Sequence, residues 1–343
     1  MEARDPVADL KRIAFLLESL REPTYRVTAF RRAAAALTEI GPEETARRAG
    51  SGTLRELPGV GEVTERTILE SLNGERPVYM RRLEAAEGTP IADAAAAICA
   101  ALRGDCHVHS HWSDGGSSIA EMAETARALG REYIVLTDHS PRLTVAGGLS
   151  VERLREQLGV VARLNAELAP FRILTGIEVD INEDGSLDQD PELLRHLDVV
   201  VGSVHSLLRM ERGEMTKRMV AALANPHLDI LGHVTGRMKR RRGDRPESDF
   251  DPEIVFAAAQ RFDKAIEVNS RPERLDPPKR LLRLAVEADC RVAIDSDAHA
   301  PGQMAWLENG CSRAAACGVS VESIVNVMPA DELVAWAAAH AAP

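Results

Sequence analysis

The segment GDCHVHSHWSDGG, residues 104–116, sets three histidines and two aspartates within thirteen positions of a chain that has ten histidines in all. His107 and His109 are two apart, so on a strand both imidazoles face the same side. That arrangement offers two nitrogen donors to one cation. A single His-x-His is a weak signal, so it needs partners elsewhere in the chain. They stand at the ends of apolar runs: His139 after YIVLTD, Glu178 in TGIEVD, His205 after VVVGSV, His233 after DILG, and Asp297 with His299 after VAIDS. Asp114 lies in the loop beyond the first run. Asp114 and Asp297 could also serve as turn or helix-capping residues, a duty compatible with ligation. Histidine and carboxylate donors without thiolate suit Zn²⁺, Mn²⁺ or Fe²⁺. The pattern predicts a site for several divalent cations.

The runs that carry these donors have strand length: CHVHS, YIVLT, RILTGIEVDI, LDVVVGSVH, LDILGH, AIEVN and RVAIDSDAH. Amphipathic helical stretches separate them. Near-continuous apolar runs suit strands buried on both faces, as in a parallel sheet or barrel. The expected fold is therefore α/β, a seven-stranded (β/α) barrel. In such a barrel the C-terminal strand ends converge at one mouth. Every run except AIEVN ends in a donor, whereas His111, His196, His227 and His340 fall elsewhere.

Ahead of the barrel the chain reads as helical, with segments at 7–20, 27–39 and about 42–50. A tight turn, Pro58-Gly59-Val60-Gly61, joins two short amphipathic segments, and an Ala-rich helix follows at 90–102. The chain of 343 residues is long enough for a large domain with an appendage. No apolar run is long enough to span a bilayer, and the charged start lacks a signal-peptide core. The five cysteines form no C-x-x-C pair and have no disulfide-like spacing, so reduced thiols and a cytoplasmic location are expected. A net charge of −11 argues at first against a polyanionic partner, but bound cations would cancel much of it.

The segments CHVHSHWSDGG, LTDHS, GIEVDI, SVHS, GHVTGR, EVNS and DSDAH together resemble the motif series of the PHP (polymerase and histidinol phosphatase) superfamily. The resemblance runs from about 104 to 338 and is closest to the PHP domain of bacterial family X DNA polymerases. It implies a distorted seven-stranded barrel with two to three divalent ions, Mn²⁺ or Zn²⁺ with Fe²⁺ as an alternative. By motif, His107, His109, Glu178 and Asp297 would hold the first ion. Glu178 would bridge to a second, shared with His205 and His233; Asp114, His139 and His299 would hold a third. Glu178, Asp297 and His233 are the expected catalytic residues. Residues 1–76 resemble the helix-hairpin-helix domain of those polymerases, through YRVTAFRRAAAAL and LPGVG, with 77–103 as a linker and 104–338 as the phosphoesterase domain. The polymerase catalytic region that normally lies between the two is missing. Three positions depart from the pattern: Glu62 follows the Gly-Val-Gly turn, Glu65 replaces a small residue, and Val234 replaces a proline. The first two weaken the inference that Gly59 and Gly61 present amides to a DNA phosphate.

Divalent ions at such a site lower the pKa of water and neutralise phosphate oxygens during in-line attack. No Ser/His/Asp or cysteine nucleophile is suggested, so water is the expected attacking group. The segment TGRMKRRRGDR follows His233 directly, and Arg237, Arg240, Arg241 and Arg242 are expected to contact phosphates, with Arg271 a further candidate. Asp295 adds a carboxylate near Asp297 and would either support the ligands from behind or face solvent. The leading expectation is a metal-dependent 3′–5′ exonuclease in DNA repair or processing, acting on single-stranded DNA or 3′ ends. A small-molecule phosphatase of the histidinol-phosphatase type and a non-enzymatic DNA-binding scaffold are the alternatives. Oligomeric state is not legible.

Overall fold

The computed structural model describes residues 4–86, 91–240 and 243–341. The chain divides into two compact units, Met1–Pro90 and Ile91–Pro343. That boundary falls inside the segment expected to be a linker. The helix Val78–Glu84 packs with the first unit through Met80, while the helix Asp93–Ala101 packs with the second through Ala95 and Ile98.

The first unit contains α1 (Pro6–Ser19), α2 (Thr24–Ser51), α3 (Glu62–Leu72) and α4 (Val78–Glu84). The Asp5 carboxylate accepts the Val7 N–H at 2.8 Å and starts α1, with Pro6 in the first turn. Leu10, Ile13, Ala14 and Leu17 form one face of α1, at helical spacing, and bury against Phe30, Leu37, Leu54 and Ile68. Truncating a leucine in such a core costs about 2–5 kcal/mol. The two segments expected at 27–39 and 42–50 are continuous as α2 but break at Gly41, which has φ 79°, ahead of Pro42.

The second unit opens with α5 (Asp93–Ala101) and then alternates strands and helices. The strands are β1 (Gly104–Val108), β2 (Tyr133–Leu136), β3 (Arg172–Asp180), β4 (Val199–Ser203), β5 (Ile230–Leu231), β6 (Ala265–Asn269) and β7 (Arg291–Asp295). All neighbouring pairs are parallel, in the order β1 to β7. Beyond β7 the ring is drawn together where the His109 N–H donates to the Ala298 carbonyl at 2.9 Å. The fold is the expected seven-stranded α/β barrel. The helices are α6 (Ile119–Ala128), α7 (Val151–Leu168), α8 (Pro191–Leu194), α9 (Arg212–Leu223), α10 (Pro252–Arg261), α11 (Lys279–Glu287), α12 (Leu307–Cys317) and α13 (Ala330–Ala339). Ser118, Ser150 and Asp251 cap α6, α7 and α10 through their side-chain oxygens.

Alternation along the strands fixes what faces inward. Cys106, Val135, Leu174, Val201, Ile230, Ala265 and Ala293 form an interior layer with Leu333 and Trp336 of α13. Residues an even number of places further along then carry the polar groups: Glu178 above Leu174, and Glu267 and Asn269 above Ala265. In β1 the register shifts between Asp105 and Val108. Such an irregularity lets His107 turn inward directly after the inward Cys106. His340, outside the donor set, holds α13 at the opposite end, with Nδ1 2.7 Å from Asp229 Oδ1.

The cysteines are not all reduced thiols as their spacing led us to expect. Cys99 of α5 and Cys311 of α12 form a disulfide with Cα atoms 5.7 Å apart, so not all five thiols are free. The pairing joins residues 212 positions apart in sequence and depends on α5 packing against α12. Among the described residues no helix is long and apolar enough to cross a membrane.

Candidate metal centre

Glu178 lies fully buried near the C-terminal end of β3, surrounded by histidines from four other strand ends. Its Oε2 is 2.9 Å from His139 Nδ1, 3.2 Å from His107 Nε2 and 3.6 Å from His109 Nε2. Its Oε1 is 3.0 Å from His233 Nε2 and 3.3 Å from His205 Nε2. Asp297 lies across His109, with Oδ1 3.6 Å from His109 Nε2. Asp114 Oδ1 is 3.4 Å from His299 Nε2 and 3.5 Å from His139 Nε2. All nine predicted donors therefore converge.

Three groupings have ligand atoms close enough to share a cation: His107–His109–Asp297, His109–Asp114–His139–His299, and His139–Glu178–His205. The first contains three of the four residues expected for the first ion, without Glu178, and the second contains the three expected for the third ion with His109 added. The third differs, because His139 joins Glu178 and His205 where His233 was expected; His233 reaches the same Glu178 oxygen. His107 Nε2, both nitrogens of His109 and of His205, His139 Nδ1 and His233 Nδ1 are sealed from solvent and, although several lie close to a carboxylate oxygen, make no well-directed hydrogen bond among the described residues. Leaving buried polar atoms unpaired is costly. Divalent cations would take up these lone pairs, so the residues present fit them.

The electrostatics point the same way. Burial alone would raise the Glu178 carboxyl, but His107, His139 and His205 hold it well below the usual carboxylate range. Burial would likewise raise Asp297, and Arg271, His109 and Arg274 keep it well below that range. Burial lowers His205, yet Glu178 and Asp180 outweigh it and carry its pKa up to about 9. The negative field that draws a proton there also draws a cation. His233 is pushed down to about 4 by burial and by Arg274, so it is neutral and able to ligate near pH 7.

Local backbone geometry serves the cluster. Asp297 has φ 54° and His233 φ 20°, a left-handed region that non-glycine residues enter only under constraint. A Cβ on Gly115 would lie 2.6 Å from the Ser110 carbonyl carbon, so only glycine lets the Asp114 loop fold back on the end of β1. Buried Asp138 anchors that loop by accepting the Ser110 N–H at 2.8 Å and the Ser113 hydroxyl at 2.6 Å.

Arginines at the mouth divide into two sets. Arg271 reaches the centre: its Nη1 is 3.3 Å from His299 Nδ1 and 3.6 Å from Asp297 Oδ1. Arg274, which sequence reasoning missed, donates from Nε to Asp297 Oδ2 at 3.0 Å and keeps a buried Nη1 without a hydrogen-bond partner among the described residues. Its spacing from Arg271 in NSRPER was the available signal. Arg237 is not brought to the centre. It donates to the Arg274 and Leu275 carbonyls and tethers the loop after β6. Arg245 similarly holds the Gly236 carbonyl, and Arg218 holds those of Ile181, Asn182 and Ser206. A guanidinium inside the protein finds carbonyl acceptors, a use that a charge run read along the chain does not reveal. Arg240 is exposed, and its N–H donates to Asp244 at 3.0 Å. Arg241 and Arg242 lie outside the described residues. Asp295 is fully buried and accepts the Cys106 N–H at 2.8 Å, which excludes the solvent-facing reading.

In the first unit, Gly59 has φ 83° and a Cβ there would lie 2.6 Å from Arg32 Cβ. The Gly61 N–H, expected to face a phosphate, donates instead to Thr64 Oγ1 at 2.9 Å. Glu65 pairs with Arg55 at 2.5 Å. A groove of about 740 Å³ beside the turn is lined by Tyr25, Phe30, Val63 and Tyr79.

The family model described as PHP domain matches residues 105–271. The chain is 38% identical over 225 residues to the DNA polymerase/3′-5′ exonuclease PolX of Bacillus subtilis, a match covering 66% of this chain and 39% of that protein. The chain thus spans well under half of that relative's length. It is 30% identical over 210 residues to a probable phosphatase of Caldanaerobacter subterraneus, covering 57% of this chain and 75% of that one. Among solved structures, the histidinol phosphate phosphatase of Lactococcus lactis aligns with a TM-score of 0.48 at 20% identity, over 64% of this chain and 94% of that chain.

Proposed function

The chain belongs to the PHP-domain family of metal-dependent phosphoesterases, and from that membership we propose that it hydrolyses DNA phosphodiesters from the 3′ end. The observation that carries the hydrolytic part is the convergence of nine donors around Glu178, with Arg271 and Arg274 beside Asp297. Divalent ions bound there supply charge to neutralise the phosphoryl oxygens and acidify water. Glu178 and Asp297 stay ionised, and His233 stays neutral, so all three keep lone pairs available near pH 7. Arg271, partly exposed at the rim, orients an anionic ester by charge-assisted hydrogen bonds. Cys106 is no competing nucleophile, because burial and Asp295 hold its thiol well above its ordinary pKa.

DNA as substrate is supported by the likeness to the polymerase/exonuclease and by the helical first unit. The groove beside its Gly-Val-Gly turn carries Tyr25, 69% exposed, a platform on which a base could stack. A second reading, a phosphatase for a small monoester, is favoured by one observation: the chain covers 75% of the probable phosphatase against 39% of the polymerase.

A paired assay separates the two. With Mn²⁺ the protein should convert a 5′-labelled single-stranded oligonucleotide into a ladder of 3′-shortened products. Rapid release of phosphate from L-histidinol phosphate, with the oligonucleotide intact, would transfer the assignment to the second reading.

A further inference from the structure

The sixth strand is the one barrel strand whose end supplies none of the nine donors, and above Ala265 its inward residues are Glu267 and Asn269. Both are fully buried. Glu267 Oε1 lies 2.6 Å from His107 Nδ1. Its Oε2 accepts the backbone N–H of His233 and, at 3.2 Å, the side-chain amide of Asn269. That amide also reaches Asp297 Oδ2, at 3.1 Å. One carboxylate thus touches or reaches three donors at the ends of three different strands.

We propose that Glu267 is a positioning residue that fixes His107 as its Nδ1–H tautomer, leaving Nε2 for a cation, and sets the attitude of His233 and Asp297 at the same time. A carboxylate has no proton to give, so the ring nitrogen facing it must be the donor. The other ring nitrogen, Nε2, is then left with its lone pair directed at the Glu178 side of the cluster, 3.2 Å from Oε2. The His233 N–H would otherwise be a buried donor at a backbone conformation of φ 20°, and Glu267 satisfies it. The role concerns the arrangement of the donors and holds whether the ester is DNA or a small molecule. Its failure would leave the proposed substrate untouched.

Glu267→Gln tests this because it keeps the shape and reverses one hydrogen-bond polarity. With its NH₂ toward His107, the amide demands the tautomer that cannot ligate through Nε2. With the NH₂ toward His233, two donors meet head-on. Titration of the metal-stripped full-length variant with Zn²⁺ or Co²⁺ should show affinity weakened about 10–100-fold, with an unchanged far-UV circular dichroism spectrum. Wild-type affinity and an unaltered Co²⁺ absorption spectrum in a folded variant would overturn the proposal. Should the variant not fold, long-range ¹H–¹⁵N correlation on the Zn²⁺-loaded wild-type protein decides. His107 protonated at Nδ1 supports the assignment, and His107 protonated at Nε2 overturns it.

Discussion

Five histidines bring a ring nitrogen within 3.6 Å of the Glu178 carboxylate, so this side chain organises more of the centre than any other residue. Glu178→Ala should lower phosphoester hydrolysis by at least about 10²-fold while thermal unfolding remains cooperative. Metal analysis of the variant should show fewer ions per chain, and full activity at wild-type metal content would refute the bridging role. A different residue shapes the pH response of stability. Lys264 is 2% exposed, and its Nζ has no hydrogen-bond partner among the described residues. Burial lowers its pKa from 10.5 to about 8. Below pH 8 the ammonium is charged in both folded and unfolded chains, so its burial cost is fully present. Between about pH 8 and 10.5 the folded chain sheds the proton first, and stability rises. Lys264→Met should therefore add about 1 kcal/mol at pH 7 and abolish that alkaline gain, as urea unfolding at several pH values would read.

At the scale of elements, the loop 235–245 carries two kinds of arginine that respond to different tests. Arg237 serves the loop itself through two carbonyls. Arg237→Ala should cost about 1–3 kcal/mol of stability and leave the salt dependence of DNA binding unchanged. Replacing Arg240, Arg241 and Arg242 together with serine should do the reverse. The slope of log K against log salt should flatten by roughly 0.7 for each lost single-strand phosphate contact, at constant melting temperature. Equal slopes for wild type and triple variant would make the run a solvated loop. The α5–α12 pair offers a simpler check. Denatured without reductant, the protein should titrate three thiols and not five, corresponding to Cys106, Cys290 and Cys317. Five thiols would deny the bridge; where it is present, reduction should cost about 2–4 kcal/mol.

On the scale of the whole molecule, the two units suggest a division of labour between binding and chemistry. A chain beginning at Ile91 retains all nine donors and should still hydrolyse a chromogenic phosphodiester at the full-length rate. Its degradation of single-stranded DNA should fall by about 10-fold or more at physiological salt if the helical unit supplies phosphate or stacking contacts. Undiminished DNA degradation would assign that unit a structural role and favour the implication of Glu62 and Glu65. Much of this was readable along the chain. Apolar runs of strand length, all but one closed by histidine or carboxylate, determined the barrel and the meeting of His107, His109, Glu178, His205 and Asp297, because strand periodicity and parallel topology carry strand ends to one place. Periodicity says nothing about partners remote in sequence. Glu267 against His107 is a contact across 160 positions, and Cys99 with Cys311 spans 212. The inward turn of Arg237 and the buried reach of Arg274 to Asp297 likewise follow from which carbonyls and carboxylates the folded loops bring near. The polar pairings cost too much desolvation to form without the surrounding packing, the disulfide needs α5 held against α12, and only the tertiary structure decided them.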